Sequence, residues 1–529
     1  MKLSMKILIA LLFLGISNID AKINKISMSE PIVYVAGDGS GNYNCDGKSD
    51  QVEINKALDF VATHPEYTTV HLKGPHTYWI DSTIYISSNT ILEGDSSAIV
   101  KLVDNAGWWT KFKPLIGQKG TQFTFGIEDP TINSRNITIR GFEIDGNRDH
   151  QKEPSGRSYY TIIQLQNTYN ITINNMYLHH NLADAIQTGF HKRQVSINSK
   201  FYNNRIHKSG HDGIYLANVD NFEIFNNIIT NHRTDAGVRT QYCNHFKVHN
   251  NIIGNDPDRR SSGSGAIVVE ANGDTPINDV EIYENYLYGH GAYYGIWLNQ
   301  EKYAGTLNSQ RDVYIHHNVI SWYRLAGIGI AGFNNTLIEN NTIELSENDA
   351  GISFYQGDRV NTISDFKTIV RNNIIVHNAT YGIDNQVPSV HSFVVENNDI
   401  YGNTKGDYRN AFSSIDIHAE PLFATYSNPY YKEYKNNTYF ILSPHWQKAN
   451  ANRDWRDDLG AKEAWLGYHL MSKEGRWNGF KWIKDSKNSP CIDKGAPISS
   501  YENEPIPNGK RVNLGAFGNS PTASKSNSK

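Results

Sequence analysis

Along the middle of the chain apolar and polar residues alternate, and each alternating run ends at an asparagine three positions beyond an aliphatic residue. The asparagines are Asn227, Asn251, Asn285, Asn318, Asn341, Asn373 and Asn398, preceded by Ile224, Val248, Ile282, Ile315, Ile338, Val370 and Val395. Two residues earlier again stand Phe222, Phe246, Val280, Val313, Thr336, Thr368 and Phe393. A period of two is that of a strand, whose successive side chains face opposite sides. The asparagines are 24, 34, 33, 23, 32 and 25 residues apart, and self-similarity on this scale marks a solenoid. The pattern predicts an all-β chain folded as a right-handed parallel β-helix, with minimal coils interrupted by inserted loops. An asparagine at one repeated corner suits a tight turn, because it tolerates the left-handed backbone, and stacked asparagines can hydrogen-bond to one another.

Earlier coils carry Ile139, Ile173 and Ile197 at the aliphatic site, with Phe142, Met176 and Lys200 in place of the asparagine. This places the β-helix core at 135–405, with ten registered coils, a rod of about 45–50 Å at the usual strand spacing. Residues 31–134 read as an N-terminal helical cap and first coils with a lateral loop. Tyr34-Val35-Ala36 is strand-like, and Asp50-Gln51-Val52-Glu53 has the form of a capping box opening a helix with Val52, Ile54, Leu58 and Val61 as its apolar positions. Such a helix shields an unpaired solenoid end. The lateral loop is expected at 106–134, around Trp108, Trp109, Pro114, Phe123 and Phe125. Residues 406–519 form an aromatic-rich C-terminal extension with Trp446, Trp455, Trp465, Trp477 and Trp482. It is expected to cap the rod and fold back along it, a carbohydrate-binding module being the alternative. Polar residues 520–529 are expected to be disordered.

A second strand repeats beside the first. It carries inward Ile186, Ile214, Val238, Ile267, Ile296, Ile328, Ile352 and Ile383, each preceded by Gly or Ala. Strand residues alternate faces, so those small residues face outward and form an open floor. The flanking outward rows read Gln187, Tyr215, Arg239, Val268, Trp297, Gly329, Ser353, Asp384 and, two residues on, Gly189, Ala217, Gln241, Glu270, Asn299, Ala331, Tyr355, Gln386. Small residues flanked by polar and aromatic ones describe a groove suited to an extended polymer. Loops at 254–263 and 300–312 would wall it.

Acids gather at one stretch of this groove. Asp184 and Asp212 hold the same position on adjacent coils, His211 precedes Asp212, Asp235 lies at the same edge one coil later, and Glu270 follows on the next. Stacked carboxylates repel when both ionise, which raises one pKa and supplies a proton donor near neutral pH, the requirement for cleaving a glycosidic bond. The competing reading is an aspartate ladder that caps turns through backbone N–H groups. Arg239 and Arg233 would pair with the carboxylate of an acidic sugar, or Arg239 would form a structural ion pair with Asp212 or Asp235. Gln187, Tyr215, Gln241, Trp297, Asn299 and Tyr355 complete the candidate substrate-binding set.

Composition narrows the class. Met1–Ala21 has Lys2 and Lys6 followed by the apolar run Ile7–Ile16, too short to span a membrane, and reads as a signal peptide of a secreted or cell-surface protein. The 529-residue chain has net charge −4 and no basic block, which argues against nucleic acid as a partner. Its three cysteines, Cys45, Cys243 and Cys491, make neither a disulfide framework nor a metal cluster. No cofactor and no metal are expected. One competing motif has the spacing of a calcium loop: Asn42, Asn44, Asp46, Asp50 and Glu53, with Asn where the first ligand is usually Asp. A monomer is expected.

Several segments carry a family resemblance. They are Asp46-Gly-Lys-Ser-Asp50-Gln-Val-Glu-Ile-Asn-Lys-Ala, Thr90-Ile-Leu-Glu-Gly-Asp95, Arg140-Gly-Phe-Glu-Ile-Asp-Gly-Asn-Arg148, Gly210-His-Asp-Gly-Ile-Tyr215 and Arg233-Thr-Asp-Ala-Gly-Val-Arg239. In the tail they are Gly475-Arg-Trp-Asn, Ser489-Pro-Cys-Ile-Asp493 and Arg511-Val-Asn-Leu-Gly-Ala. With these the chain resembles the disaggregatase-related proteins of methanogenic archaea, secreted enzymes of pectin-lyase-like solenoid fold that depolymerise the matrix glycan methanochondroitin. The resemblance implies a substrate of glucuronic acid and N-acetylgalactosamine. It maps the family's His-Asp onto His211 and Asp212 and its paired arginines onto Arg233 and Arg239. The leading expectation is an endo-acting hydrolase using paired carboxylates. A polysaccharide lyase or uronan epimerase with His211 or Tyr215 as base is one rival; a non-catalytic glycan-binding surface protein is the other.

Overall fold

The structure, a computed structural model, describes residues 31–108, 113–120, 133–152, 160–188, 196–255, 263–271, 277–289, 292–300, 312–355, 366–388, 391–424 and 465–527. The signal-like segment, Trp109, Phe123, Phe125, Trp446, Trp455 and most of both expected groove walls lie outside these residues.

The fold is a right-handed parallel β-helix. Each coil gives one strand to each of three parallel sheets, a first of 14 strands and a second and third of 12 each. One coil shows how. Val219–Phe225 belongs to the first sheet, Ile228–Thr230 to the second and Ala236–Gln241 to the third. The corners between them fall at Asn226, Asn231 and Tyr242, with φ of 54°, 59° and 57°. Inside, aliphatic side chains from all three sheets form one continuous core from Val33 to Ile400.

The repeated asparagines are buried in a ladder. Asn204, Asn227, Asn251, Asn285, Asn318, Asn341, Asn373 and Asn398 each donate Nδ2 to the side-chain oxygen of the next rung, which also accepts that residue's backbone N–H. The ladder ends on the carboxylate of Asp416. Two sequence expectations change. The left-handed residue is the one before each rung (Asn226, Asn250, Glu284, His317, Asn340, Asn372, Asn397), so the rung is selected for its amide rather than for its backbone. The coil assigned to Ile197 and Lys200 is registered instead on Phe201 and Asn204, because Phe201 pairs with Ile224; an aromatic residue at the aliphatic site hid the copy.

The parallel stack begins at Ile32–Ala36, and Gln51–Thr63 is a helix whose Ile54, Ala57, Leu58 and Val61 close the core's end. Val52 is exposed. The expected capping box is not formed: Asp50 accepts the N–H groups of Gly47 and Trp79 and makes no side-chain cap bond, and Glu53 pairs with Lys56. Part of the expected lateral loop is a coil strand, Lys113–Gln118, paired with Ile84–Ile86 and Tyr160–Leu165. Trp108 is buried against Tyr160.

The tail's described residues run back along the second sheet. Trp465, Ala516 and Phe517 pack on Tyr286, Tyr288 and Val319, and Phe423, Leu470, Cys491, Ile492 and Leu514 on Ile374 and Val376. The expected disorder at its end is overturned for 520–527: Ala523, Ser524 and Ser526 are buried, and Lys525 and Ser526 donate backbone N–H groups to Gly475 and Pro507. Backbone pairing holds a segment whose composition is polar. No helix among the described residues is long and apolar enough to cross a membrane.

Candidate active site

The candidate acids lie on the third sheet. Ile186 pairs with Ile214, which puts Asp184 level with Asp212; Tyr215, Arg239, Val268 and Trp297 then form one column and Gln241, Glu270 and Asn299 another. The Gly/Ala row does not face out. Ala185 and Ala266 belong to the core cluster, and a Cβ on Gly213 would stand 2.5 Å from Ile229 Cγ2. Two consecutive residues therefore point inward, the first of them against the second sheet. The small residues make the corner fit, and the outer surface is built by the two columns alone.

Around His211 the groups converge. Its Nδ1 lies 2.8 Å from Asp184 Oδ1 and 3.1 Å from Asp212 Oδ2, and its Nε2 lies 3.4 Å from Asp235 Oδ2. Burial works against the imidazolium, but the Asp212 charge and the hydrogen bonds from Asp184 and Asp212 outweigh it and push the pKa up to about 12. Arg239 bonds Asp235 through Nη1 at 2.7 Å, and Glu270 through Nε at 3.0 Å and Nη2 at 2.9 Å. Burial opposes its charge too, and Asp212, Glu270 and Asp235 keep it charged. Ser264 donates to Asp235 at 2.8 Å. For Asp235, burial and the Asp212 charge raise the pKa above the ordinary carboxylate value against the pull of Arg239, His211 and Ser264.

Accessibility divides this group. Side chains of His211, Arg239 and Asp235 are 28%, 17% and 16% exposed, whereas Asp184, Glu270 and Asp212 are 7%, 5% and 0% exposed. Asp184 accepts the backbone N–H of Asp212, and Asp212 that of Ala236. The turn-capping ladder and the charged cluster are therefore the same aspartates. Asp212, with no surface, cannot hand a proton to a substrate directly; it sits beneath His211 and Arg239. Tyr215 is also buried, its hydroxyl donating to Gln241 at 2.6 Å, while Gln241 donates to Glu270 at 3.2 Å. Gln187 is buried as well. These three brace the cluster from below, Gln187 with almost no surface and Tyr215 and Gln241 with little. Arg233 is exposed on the turn before Asp235.

Farther along the column the surface is aromatic. Trp297 stacks on Tyr294 with centroids 4.3 Å apart, and Tyr355 meets Trp297 edge-on at 5.4 Å, its hydroxyl tied to Asp349 at 2.5 Å. Gly329 lies under the indole, where a Cβ would come within 2.6 Å of it. Trp297, Asn299 and Tyr355 are all half-buried. Sequence reasoning missed Ser264 and Tyr294. Ser264 falls in the Asp235 column only once the coil's loop is removed from the count, and Tyr294 stands two residues before the inward Ile296, in the row of Asp184 and Asp212 rather than in either outward row.

Metal-type donors also gather at Asp184, His211 and Asp212, where an ion would have to displace the imidazole proton. The calcium-like loop is not assembled. Asn42, Asn44 and Asp46 spend side-chain oxygens on the backbone N–H groups of Tyr34, Gly41 and Lys48, and Asp50 does the same, as described above.

Residues 277–458 and 434–495 match the model of the disaggregatase-related family. The chain is thus similar to the disaggregatase-related family over residues 277–495, less than half of its length. The matched region holds the later coils, the aromatic surface and much of the tail; the charged cluster around His211 lies before it. No curated protein sequence matches the chain. Among solved structures, the A-module of the Azotobacter vinelandii mannuronan C-5 epimerase AlgE6 is 19% identical, covers 71% of this chain and 96% of its own, and superposes with a TM-score of 0.51. The A-module of AlgE4 from the same organism is 17% identical over 73% of this chain and 100% of its own, also at 0.51. At these identities the likeness is one of fold.

Proposed function

We propose that this protein is a secreted, endo-acting glycoside hydrolase that cuts an acidic matrix glycan of the methanochondroitin type, with Asp235 as proton donor. The observation that carries the reading is Asp235 itself. It is a carboxyl with surface to meet a substrate, and burial and the Asp212 charge raise its pKa above the ordinary carboxylate value. Asp235 gives its proton to the glycosidic oxygen as the bond breaks. Glu270, paired with Arg239, is the second carboxylate, which forms the glycosyl bond or takes the proton of the attacking water.

Charge balance favours hydrolysis over elimination. Among the described residues, Asp184, Asp212, Asp235 and Glu270 form ion pairs with His211 and Arg239, four acids to two cations. A negative field stabilises the oxocarbenium-like transition state of hydrolysis. Elimination or epimerisation at a uronic acid instead builds negative charge beside the sugar carboxylate and needs a base. Arg239 is already committed to two acids. His211 keeps its proton, and burial drives the Tyr215 hydroxyl well above its ordinary value. Trp297 lies two strands along from Arg239, about 10 Å, a fitting place for an adjoining sugar of the same polymer. Arg233, exposed beside the acid, supports an anionic substrate.

The test is product analysis on methanochondroitin or chondroitin. New reducing ends without ultraviolet-absorbing unsaturated sugar, abolished in Asp235→Asn, are expected. Unsaturated products, inversion at C5 without cleavage, or full activity in Asp235→Asn would overturn the assignment.

A further inference from the structure

Away from the groove, at the corner between the second and third sheets, three potential ligands from two coils face one another. Strand Glu143–Asp145 pairs with Tyr177–His179 so that Asp145 sits beside His179, and His180 follows at the corner with φ of 53°. His179 Nδ1 and His180 Nδ1 are 2.6 Å apart, and Asp145 Oδ1 lies 3.6 Å from the first and 4.0 Å from the second. We propose that Asp145, His179 and His180 form a binding site for a divalent transition cation of the zinc type.

Three features support this. The triangle's sides straddle the roughly 3.3 Å edge expected of a tetrahedral set with metal–ligand bonds of about 2.0–2.1 Å. A small opening of the histidine pair and closing of the aspartate would seat an ion. The outer partners are in place as well. Glu143 Oε1 lies 3.1 Å from His179 Nε2, which fixes the N–H on that nitrogen and turns the Nδ1 lone pair inward, the usual carboxylate–histidine support of a metal ligand. Lys101 Nζ holds Asp145 Oδ2 at 2.9 Å and the Asn147 N–H bonds Oδ1 at 2.7 Å, which orients the carboxylate. Two imidazoles and one carboxylate are a borderline donor set suited to zinc-like ions rather than to calcium or magnesium, which prefer oxygen alone. The side chains of Asp145 and His180 keep 14% and 22% of their surface, so an ion has a way in.

The same fold supplies its own control. His316 and His317 repeat the contact, with Nδ1 atoms 2.7 Å apart and Glu281 Oε1 3.1 Å from His316 Nε2. There His317 Nε2 is bonded to the Gly518 carbonyl, and the pair is not part of any three-donor cluster among the described residues. A histidine pair at a left-handed corner therefore does not by itself imply a cation; Asp145 makes the difference. An ion at the first pair would fasten two coils at the turn leading into Asp184.

The experiment strips the full-length chain with chelator and titrates it with Co²⁺ or Zn²⁺. One equivalent should bind, Co²⁺ should show the intense visible bands of a low-coordinate N/O site, and the unfolding temperature should rise. Asp145→Asn, and His180→Asn, which keeps a side chain tolerant of the left-handed backbone, should each lose the band. Glu143→Gln should bind 10–100-fold more weakly. His317→Asn should bind as the parent does. Circular dichroism establishes that each variant is folded. Absence of stoichiometric binding by the parent, or an undiminished band in folded Asp145→Asn and His180→Asn, overturns the site.

Discussion

Replacing Asn251 by alanine tests whether the asparagine ladder holds the rod together. The side chain is 1% exposed and makes four hydrogen bonds. Its Oδ1 accepts the backbone N–H and the Nδ2 of Asn227, each at 3.0 Å, and its Nδ2 donates to the Ile224 carbonyl at 2.9 Å and to Asn285 Oδ1 at 3.0 Å. Removing it leaves the Asn227 N–H and one Asn227 amide hydrogen buried without their acceptor, and takes a donor from the Ile224 carbonyl. At about 1 kcal/mol per bond, with orphaned buried groups at the upper end of the range, the loss is about 4 kcal/mol. Solenoids unfold segment by segment, so a global midpoint would blur the effect. Hydrogen exchange read by mass spectrometry localises it. Protection at Asn227 and the adjoining corner should fall about 10³-fold, since 1.4 kcal/mol is a factor of ten. Asn221→Gly is the control: this exposed, left-handed residue loses one bond to Asn198 and should shift exchange only a few-fold. A change at Asn251→Ala no larger than at Asn221→Gly would refute the ladder as a stabilising element.

Gly213→Ala places a methyl 2.5 Å from both Ile229 Cγ2 and the Gly237 carbonyl oxygen, and should cost about 1–3 kcal/mol in denaturant unfolding; a neutral outcome would mean the corner is looser than described. Trp297→Ala should raise KM on polymer several-fold with little change in kcat, because the ring is remote from the charged cluster; a kcat loss alone would place it in the chemistry. Asp399 is packed against the tail, accepting from Cys491 Sγ at 2.9 Å and the Ala419 N–H at 3.0 Å with His418 and Glu420 nearby, and burial raises its pKa from 3.8 to about 7. A carboxyl with a raised folded pKa stabilises fully below about pH 4 and loses that contribution as pH rises through about 7. Protection of the tail amides, taken relative to the intrinsic exchange rate at each pH, should therefore be greater at pH 5 than at pH 8. Glu504, also raised to about 7 by burial, leaves part of this dependence in Asp399→Asn; an unaltered pH dependence in that variant would contradict the role of Asp399.

How far the sequence could be read follows from what stacking does to sequence offsets. In a coil of fixed register, residues 28 positions apart such as Asp184 and Asp212 become neighbours joined by a hydrogen bond, so the acid column could be read by aligning repeats. Arg239 and Glu270 followed in the same way. The direction of a side chain at a corner could not be read so. Alternation fails at Gly213 and Gly237, where a Cβ would meet Ile229 and Ile253, so a row expected on the surface faces the core. Nor could alternation report depth: Asp212 and Tyr215 lie in the expected columns yet have little or no surface, because His211 and Arg239 close over them. The pairing of Asp145 with His179 was legible in principle from register, but those early coils lack the asparagine rung that fixed the register elsewhere.

The burial of Asp212 changes how the charged cluster works rather than removing it. An aspartate capping a backbone N–H on a β-helix corner is held rigidly by the stack above and below it. Asp184 and Asp212 are fixed in this way, and together they grip His211 Nδ1 from two coils. The imidazolium is thereby aimed at Asp235, and the Asp212 charge, with no water around it, is felt strongly at Asp235 and Arg239. A device that stabilises corners thus supplies a preorganised field at no further conformational cost, and the exposed acid need only be placed at its edge. Asp212→Asn, which keeps the cap acceptor, should leave the coil intact while lowering the pKa of Asp235. The limb of the pH–rate profile assigned to the proton donor should then move to lower pH, and an unmoved limb would show that Asp212 is a turn cap and nothing more.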